Sequence, residues 1–152
     1  MQLSHYLGLL HRSQSLLADA FRQVADAHGD EPDVAHLCRR LAGQCESHAG
    51  QLDPFARRYA EDAEDEPERL HSQLFRGTRE GGLGLLRDLH DLYLMATECD
   101  LAWTLVGQAA QGARDDDLLA VVRRCEGETA TQLLWLRGRM KQAAPQALVV
   151  AD

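Results

Sequence analysis

The sequence predicts an all-α fold: a bundle of four helices in which two antiparallel hairpins are joined by one long crossover. Three observations predict it. The 152 residues include 25 Leu and 21 Ala against seven Val, five Thr, no Ile and no Asn, with aromatics at 5%. This composition forms helices readily and is poor in the residues that suit a pleated surface. Apolar residues recur at alternating steps of three and four in four separate segments, the period of a helix with one buried face. Between the second and third segments that period fails from about residue 60 to about residue 82, a length that an up-down-up-down bundle does not need and a crossover between two hairpins does.

The first helix is read over residues 3–28, where Leu3, Leu7, Leu10, Gln14, Leu17, Phe21, Val24 and His28 form the seam and Gly29 stops it. In the turn that follows, Asp30 and Pro32 start the next helix, because proline tolerates the first helical position. The second helix, residues 33–59, carries Val34, Leu37, Leu41, Gln44, His48, Leu52, Phe55 and Tyr59, with Asp53-Pro54 expected to kink it or restart a turn. The crossover, residues 60–82, holds the acidic run from Glu61 to Glu68, then Leu70, Leu74 and Phe75, then a glycine-rich exit. That acidic run reads as a solvated loop. The third helix, residues 83–111, shows Leu85, Leu89, Leu92, Ala96, Cys99, Trp103, Val106 and Ala110 and closes at Gly112. The fourth, residues 115–143, opens on Asp115-Asp116-Asp117, acids that suit the positive end of a helix dipole. Its seam is Leu118, Val121 or Val122, Cys125, Glu128, Gln132, Leu136 and Met140, before Pro145 and an apolar tail, ALVVAD. Residues 1–152 read as one domain with one core.

A formal net charge of -8, with no basic run, argues against a nucleic-acid binder, which needs a basic face. No apolar stretch approaches the roughly 20 residues that span a bilayer. The segment MQLSHYLGLLHRSQ lacks the basic start of a secretory signal, so the expected location is cytoplasmic. Cys38, Cys45, Cys99 and Cys125 all fall within helices, unlike a secreted disulfide framework, and are read as reduced thiols. His5, His11, His28, His36, His71 and His90 fall toward helix ends or outer faces, where solvated or capping roles are expected.

The polar residues inside the seams are the informative ones. Each helix is about 26 residues and roughly 40 Å long, and midpoints near residues 15, 46, 97 and 129 meet at one level when neighbours run antiparallel. Near them lie Gln14, Gln44, Cys45, His48, Cys99, Cys125 and Glu128. Cys45 with His48, and Cys125 with Glu128, are i, i+3 pairs that project from one helix face. Thiolate, imidazole and carboxylate together are ligands for zinc or another transition metal such as iron, so Cys45, His48, Cys125 and Glu128 form the candidate metal set. The other reading is a polar core in which Gln14, Gln44, His48 and Glu128 bond one another and fix helix register.

The wiring and the polar mid-helix positions resemble the ferritin-like superfamily, including rubrerythrin-like proteins, over Leu3 to Met140. The blocks LLRDLHDLYLMA and CEGETATQLLWL are similar to those of an uncharacterised bacterial family of such proteins. The resemblance implies a two-ion centre in which helices 1 and 3 each supply Glu, and helices 2 and 4 each supply Glu-x-x-His. Here His48 takes the helix 2 histidine place with Cys45 three residues before it. Helix 4 carries Cys125 and Glu128 with no histidine, helix 1 offers Gln14 or Asp19, and Glu98 neighbours the helix 3 seam. The expectation is a non-enzymatic structural or interaction module without a complete di-iron site and without a cofactor. The alternative is a metal-binding or redox protein that uses the four candidate residues. Trp103, Trp135 and the apolar tail are candidates for a homodimer face or for folding back onto the bundle. The glycines inside the helices, among them Gly43, Gly50, Gly107, Gly127 and Gly138, each cost roughly 0.5–1 kcal/mol relative to alanine, which close helix approach or a dimer face would offset.

Overall fold

The computed structural model describes residues 2–60 and 75–150. The acidic run from Glu61 to Glu68, with Leu70, His71 and Leu74, lies outside the described residues, as do Met1 and the last two positions. Among the described residues there is no strand. Four helices pack together: α1 (Leu3–Ala27), α2 (Pro32–Tyr59), α3 (Gly81–Gly112) and α4 (Asp116–Pro145). A short π-helical turn at Gln146–Val150 extends α4 and touches α3. The main contacts pair α1 with α2, α3 with α4, and α1 with α3, with a lighter contact between α2 and α4.

The seams explain the packing. Every seam residue of α1 from Leu3 to His28 is buried, as is every seam residue of α3 from Leu85 to Ala110. Trp103 is wholly enclosed with Phe21, Leu10, Leu52, Leu92 and Leu136 among the largest buried side chains. It is therefore a core residue of its own bundle, at the inward place of the helix 3 seam, and of its two expected roles the outer face falls away. Pro54 sits inside α2, which continues to Tyr59. On α4 the buried row runs Leu118, Val122, Cys125, Thr129, Gln132 and Leu136. Thr129 holds the inward place that Glu128 was expected to hold, because a step of four from Cys125 follows the helix face there and a step of three does not.

Charged contacts tie the helix ends. His28 Nε2 lies 2.7 Å from Asp88 Oδ2, and both residues are buried. His28 therefore does more than cap α1 from the solvent side. The same carboxylate accepts from the Arg79 backbone N–H at 3.0 Å and from its guanidinium at 2.9 Å, so the chain entering α3 is held against the end of α1. Gly84 is required by that approach, since a Cβ there would lie 2.9 Å from the Arg79 carbonyl carbon. Gly81, at φ +75°, makes the turn into the helix. At two other ends, Asp115 accepts from Tyr59 Oη at 2.6 Å and Arg58 at 2.8 Å, while Arg139 donates to Asp33 at 2.8 Å and Glu31 at 3.2 Å.

The α3 to α4 turn uses Arg114 at φ 54° as its left-handed residue, where Gly112 was expected to close the helix. The Asp115 amide reaches back to the Ala110 carbonyl at 2.9 Å, satisfying a helix-end acceptor. Of the interior glycines, Gly107 lies on a close approach, with its Cβ position 3.2 Å from Val122. Gly43, Gly50, Gly127 and Gly138 face open space, so helix approach does not offset their cost.

Candidate functional site

The polar layer forms where α1, α2 and α4 bring their midpoints together, with α3 supplying Trp103 and Cys99. Gln14 and His48 occupy seam positions of their helices, so burial follows from the same period that buries the leucines around them. Gln14 Oε1 lies 3.3 Å from His48 Nδ1. The His48 ring meets the Trp103 indole edge-on, with centroids 5.8 Å apart. On its other side, His48 Nε2 stands 3.6 Å from Glu128 Oε1, farther than a hydrogen bond reaches. Glu128 is 39% exposed at its side chain, so it approaches the layer from the bundle edge.

The second half of the layer centres on Gln132. Its amide donates to Gln44 Oε1 at 3.1 Å and to Cys45 Sγ at 3.7 Å, and its Oε1 lies 4.0 Å from the Cys45 thiol. Thr129 Oγ1 donates to the Cys125 carbonyl one turn back at 2.8 Å. Cys45 is thus engaged with Gln132, and His48 with Gln14 and Glu128. The i, i+3 geometry placed Cys45 and His48 on one helix face, yet each turns to a different partner.

Electrostatics follow burial. Desolvation holds the His48 imidazole below its ordinary pKa, against the opposing pull of Glu128, so the ring is neutral at pH 7. Burial pushes the thiols of Cys38, Cys45 and Cys125 up to about 12 and raises that of Cys99 well above its usual value. All four cysteines are free and buried. A protonated thiol is neither a metal ligand nor a nucleophile.

Gln14 Nε2, His48 Nε2 and the Trp103 indole nitrogen are buried without a hydrogen-bond partner. The tautomer decides what the first two can do. If Nδ1 of His48 donates to Gln14, the bare Nε2 lone pair faces the Glu128 carboxylate, an unfavourable opposition of two acceptors. Exchanging the oxygen and nitrogen of the Gln14 amide reverses the pattern. Gln14 then donates to Nδ1, and Nε2–H points at the carboxylate, the better electrostatic arrangement.

Among the described residues no group of three or more His, Cys, Asp or Glu side chains is placed to hold a metal ion. The donors present do not fit the two-ion centre that the ferritin-like resemblance implies, because Gln14, Cys45, Cys125 and Thr129 stand at or beside positions where carboxylates and histidine would be needed. Sequence reasoning did not find the buried Asp88 as a partner for His28, although its place one turn from both Gly84 and Leu92 put it on the inner face of α3. No protein-family model, curated protein or solved structure matches the chain.

Proposed function

We propose that this chain is a non-enzymatic bundle of ferritin-like wiring, two antiparallel hairpins α1–α2 and α3–α4 joined by the crossover, acting as a structural or interaction module. Its mid-bundle layer then serves to fix helix register. The observation that carries this reading is the pairing within the layer, where Gln132 bonds Gln44 and Cys45, Gln14 bonds His48 and Thr129 bonds its own backbone, while Gln14 Nε2, His48 Nε2 and the Trp103 indole nitrogen stand without partners. A catalytic layer would instead offer paired charged groups to a substrate. The wiring is supported by the sense of the contacts. His11 meets Asp53 and Arg22 meets Glu46, the end of α1 meets the start of α3, and the end of α2 meets the start of α4.

A reducing, cytoplasmic setting fits four unpaired thiols. No helix of the described residues is long and apolar enough to cross a membrane, and the net charge of -8 disfavours nucleic acid. Elemental analysis of protein purified without chelator tests the proposal. The expected result is no stoichiometric transition metal and a melting curve unchanged by chelator; about one ion per chain would overturn it.

One observation favours a second reading, a transition-metal site for zinc or iron at the layer. In the tautomer with Nδ1 protonated, His48 Nε2 and Glu128 Oε1 present lone pairs 3.6 Å apart, a separation that two ligands of one cation adopt. Cys45 and Cys125, both already buried, would have to turn toward that pair and lose their protons to complete it. This reading requires a bound ion that His48→Ala removes.

A further inference from the structure

We infer that the groove between the first turns of α3 and the last turns of α4 binds a single-chain carboxylate amphiphile of the fatty-acid class, with its tail along the apolar walls and its head at Arg87, His90 and Lys141. This goes beyond the module reading and stands whether or not that reading holds.

The groove measures about 510 Å³ and is walled by Leu83, Leu86, Met140, Ala144 and Leu148, a size within the range of small-molecule sites. Every charged side chain that lines it is basic: Arg87 and Lys141, beside the His90 imidazole. That sign runs against the chain as a whole, which has 24 acidic and 16 basic residues, and it has a local cause. From Thr129 to Val150 the chain holds Arg137, Arg139 and Lys141 and no Asp or Glu. On α3 and its entry, Glu80, Asp88 and Asp91 are nearest in sequence and none lines the groove. Asp88 and Asp91 both accept from Arg79. Arg139 is committed to Asp33 and Glu31, whereas Arg87 and Lys141 have no ion-pair partner among the described residues.

The two kinds of side chain are also sorted along the groove. On α3, Leu83 and Leu86 precede Arg87 and His90, while on α4 Lys141 precedes Ala144 and Leu148. Arg137 lies over the Tyr93 ring at 5.3 Å, so the cations of both helices lie toward that contact and the leucines lie toward the π-helical turn. An acyl chain with one anionic head has the same polarity. Its tail takes water off the apolar walls, and its carboxylate accepts charge-assisted bonds from guanidinium and ammonium. Leu83 to His90 and Met140 to Leu148 make the groove about 10–12 Å long at 1.5 Å per residue, which suits an extended chain of about eight to ten carbons. A concave floor between two helices takes one chain, whereas a bilayer needs an apolar face that projects from the protein.

Titration calorimetry of the full chain with octanoate, decanoate and dodecanoate, each to about 1 mM, tests this. Affinity should rise about two- to fourfold per added methylene, fourfold being the value of a fully buried one, and level off once the chain outgrows the groove. Decyltrimethylammonium, with the same tail and the opposite head, should bind at least tenfold more weakly than decanoate. The net charge of -8 favours the cation over the rest of the surface, so preference for the anion is a property of the groove. Lys141→Glu should lower decanoate affinity about tenfold with an unchanged melting temperature, and Arg123→Glu, the same charge change at an exposed place on α4 outside the groove, should leave it as in the parent. No binding of decanoate at about 1 mM overturns the inference. So does equal affinity for the two head groups, the absence of any gain per methylene, or an equal response of the two variants. Sedimentation with vesicles of equal parts phosphatidylglycerol and phosphatidylcholine by a chain that leaves decanoate unbound overturns it in favour of a membrane surface. Metal content decides the module reading separately, since decanoate binding neither requires nor excludes an ion at the mid-bundle layer.

Discussion

Asp115 is the residue at which one carboxylate does three jobs, and its substitution gives the sharpest test of the bundle's construction. Its Oδ1 caps α4 by accepting from Leu118 N–H at 3.1 Å, and its Oδ2 accepts from Tyr59 Oη at 2.6 Å and from Arg58 at 2.8 Å. Loss of an N-cap costs about 1 kcal/mol, and loss of the hydrogen bond from Tyr59 to a charged acceptor costs about another 1 kcal/mol after discounting for partial exposure. Asp115→Ala should therefore destabilise by about 2 kcal/mol at pH 7, which lowers the melting temperature of a chain this size by about 4–8 °C. Asp115→Asn keeps the cap through its carbonyl oxygen but sets an amide donor where Oδ2 accepted from Tyr59 and Arg58, so it loses those bonds together with the charge and spares only the cost of the cap. The sign with pH follows from the shift. Burial raises the Asp115 pKa, but the bonds from Tyr59, Leu118 and Arg58 outweigh it, and the group titrates below its ordinary 3.8. A carboxylate depressed in the folded state contributes stability above the unfolded value, and that contribution fades as pH falls through the folded pKa. Urea melts of parent and Asp115→Asn should thus differ at pH 7 and draw together as pH falls through the folded-state pKa, which lies below 3.8. A constant gap across that range, or an alanine cost under about 0.5 kcal/mol, would refute the reasoning.

Gly84→Ala and Gly127→Ala should move stability in opposite directions. The first drives a Cβ into the Arg79 backbone at 2.9 Å, while the second meets nothing within 4 Å and should gain about 0.5–1 kcal/mol by thermal melt. Arg114→Gly should also stabilise, by up to about 1 kcal/mol, since φ 54° strains a residue with a Cβ. The four buried thiols should resist a thiol-specific reagent at pH 8 in the folded chain and react fully in denaturant; fast labelling of any one in the native state would contradict its raised pKa.

The helices were legible because burial has a period. Leu3, Leu7, Leu10, Gln14 and Leu17 predict an inward row whatever Gln14 does chemically, and the row is buried. The partners of the polar residues were not legible, because hydrogen bonding depends on side-chain direction across helices that sequence spacing does not fix. Cys45 and His48 share a face, yet one reaches α4 at Gln132 and the other reaches α1 at Gln14. Glu128 shows the finer limit. Steps of three and four are both helical, and one residue of difference rotates a side chain by about 100°, enough to exchange an inward carboxylate for the hydroxyl of Thr129. His28 shows the reverse case: its place at a helix end suggested solvent, and the Asp88 carboxylate brought by α3 makes that place a buried hydrogen bond.

The difference between Glu128 and Thr129 bears on what the layer can become. With Glu128 inward, the layer would hold a carboxylate, an imidazole and two thiols around one point, a set that binds a transition metal. With Thr129 inward, the hydroxyl bonds its own helix, the carboxylate stays 39% exposed at the edge, and the thiols keep their protons. The remaining polar groups, Gln14, Gln44, His48 and Gln132, are neutral at pH 7 and serve as both donors and acceptors. A neutral network of that kind avoids the desolvation cost of buried charge and still penalises a slipped register, because a slip leaves its members unpaired. On the reading proposed above, the layer is the register-fixing element of the bundle.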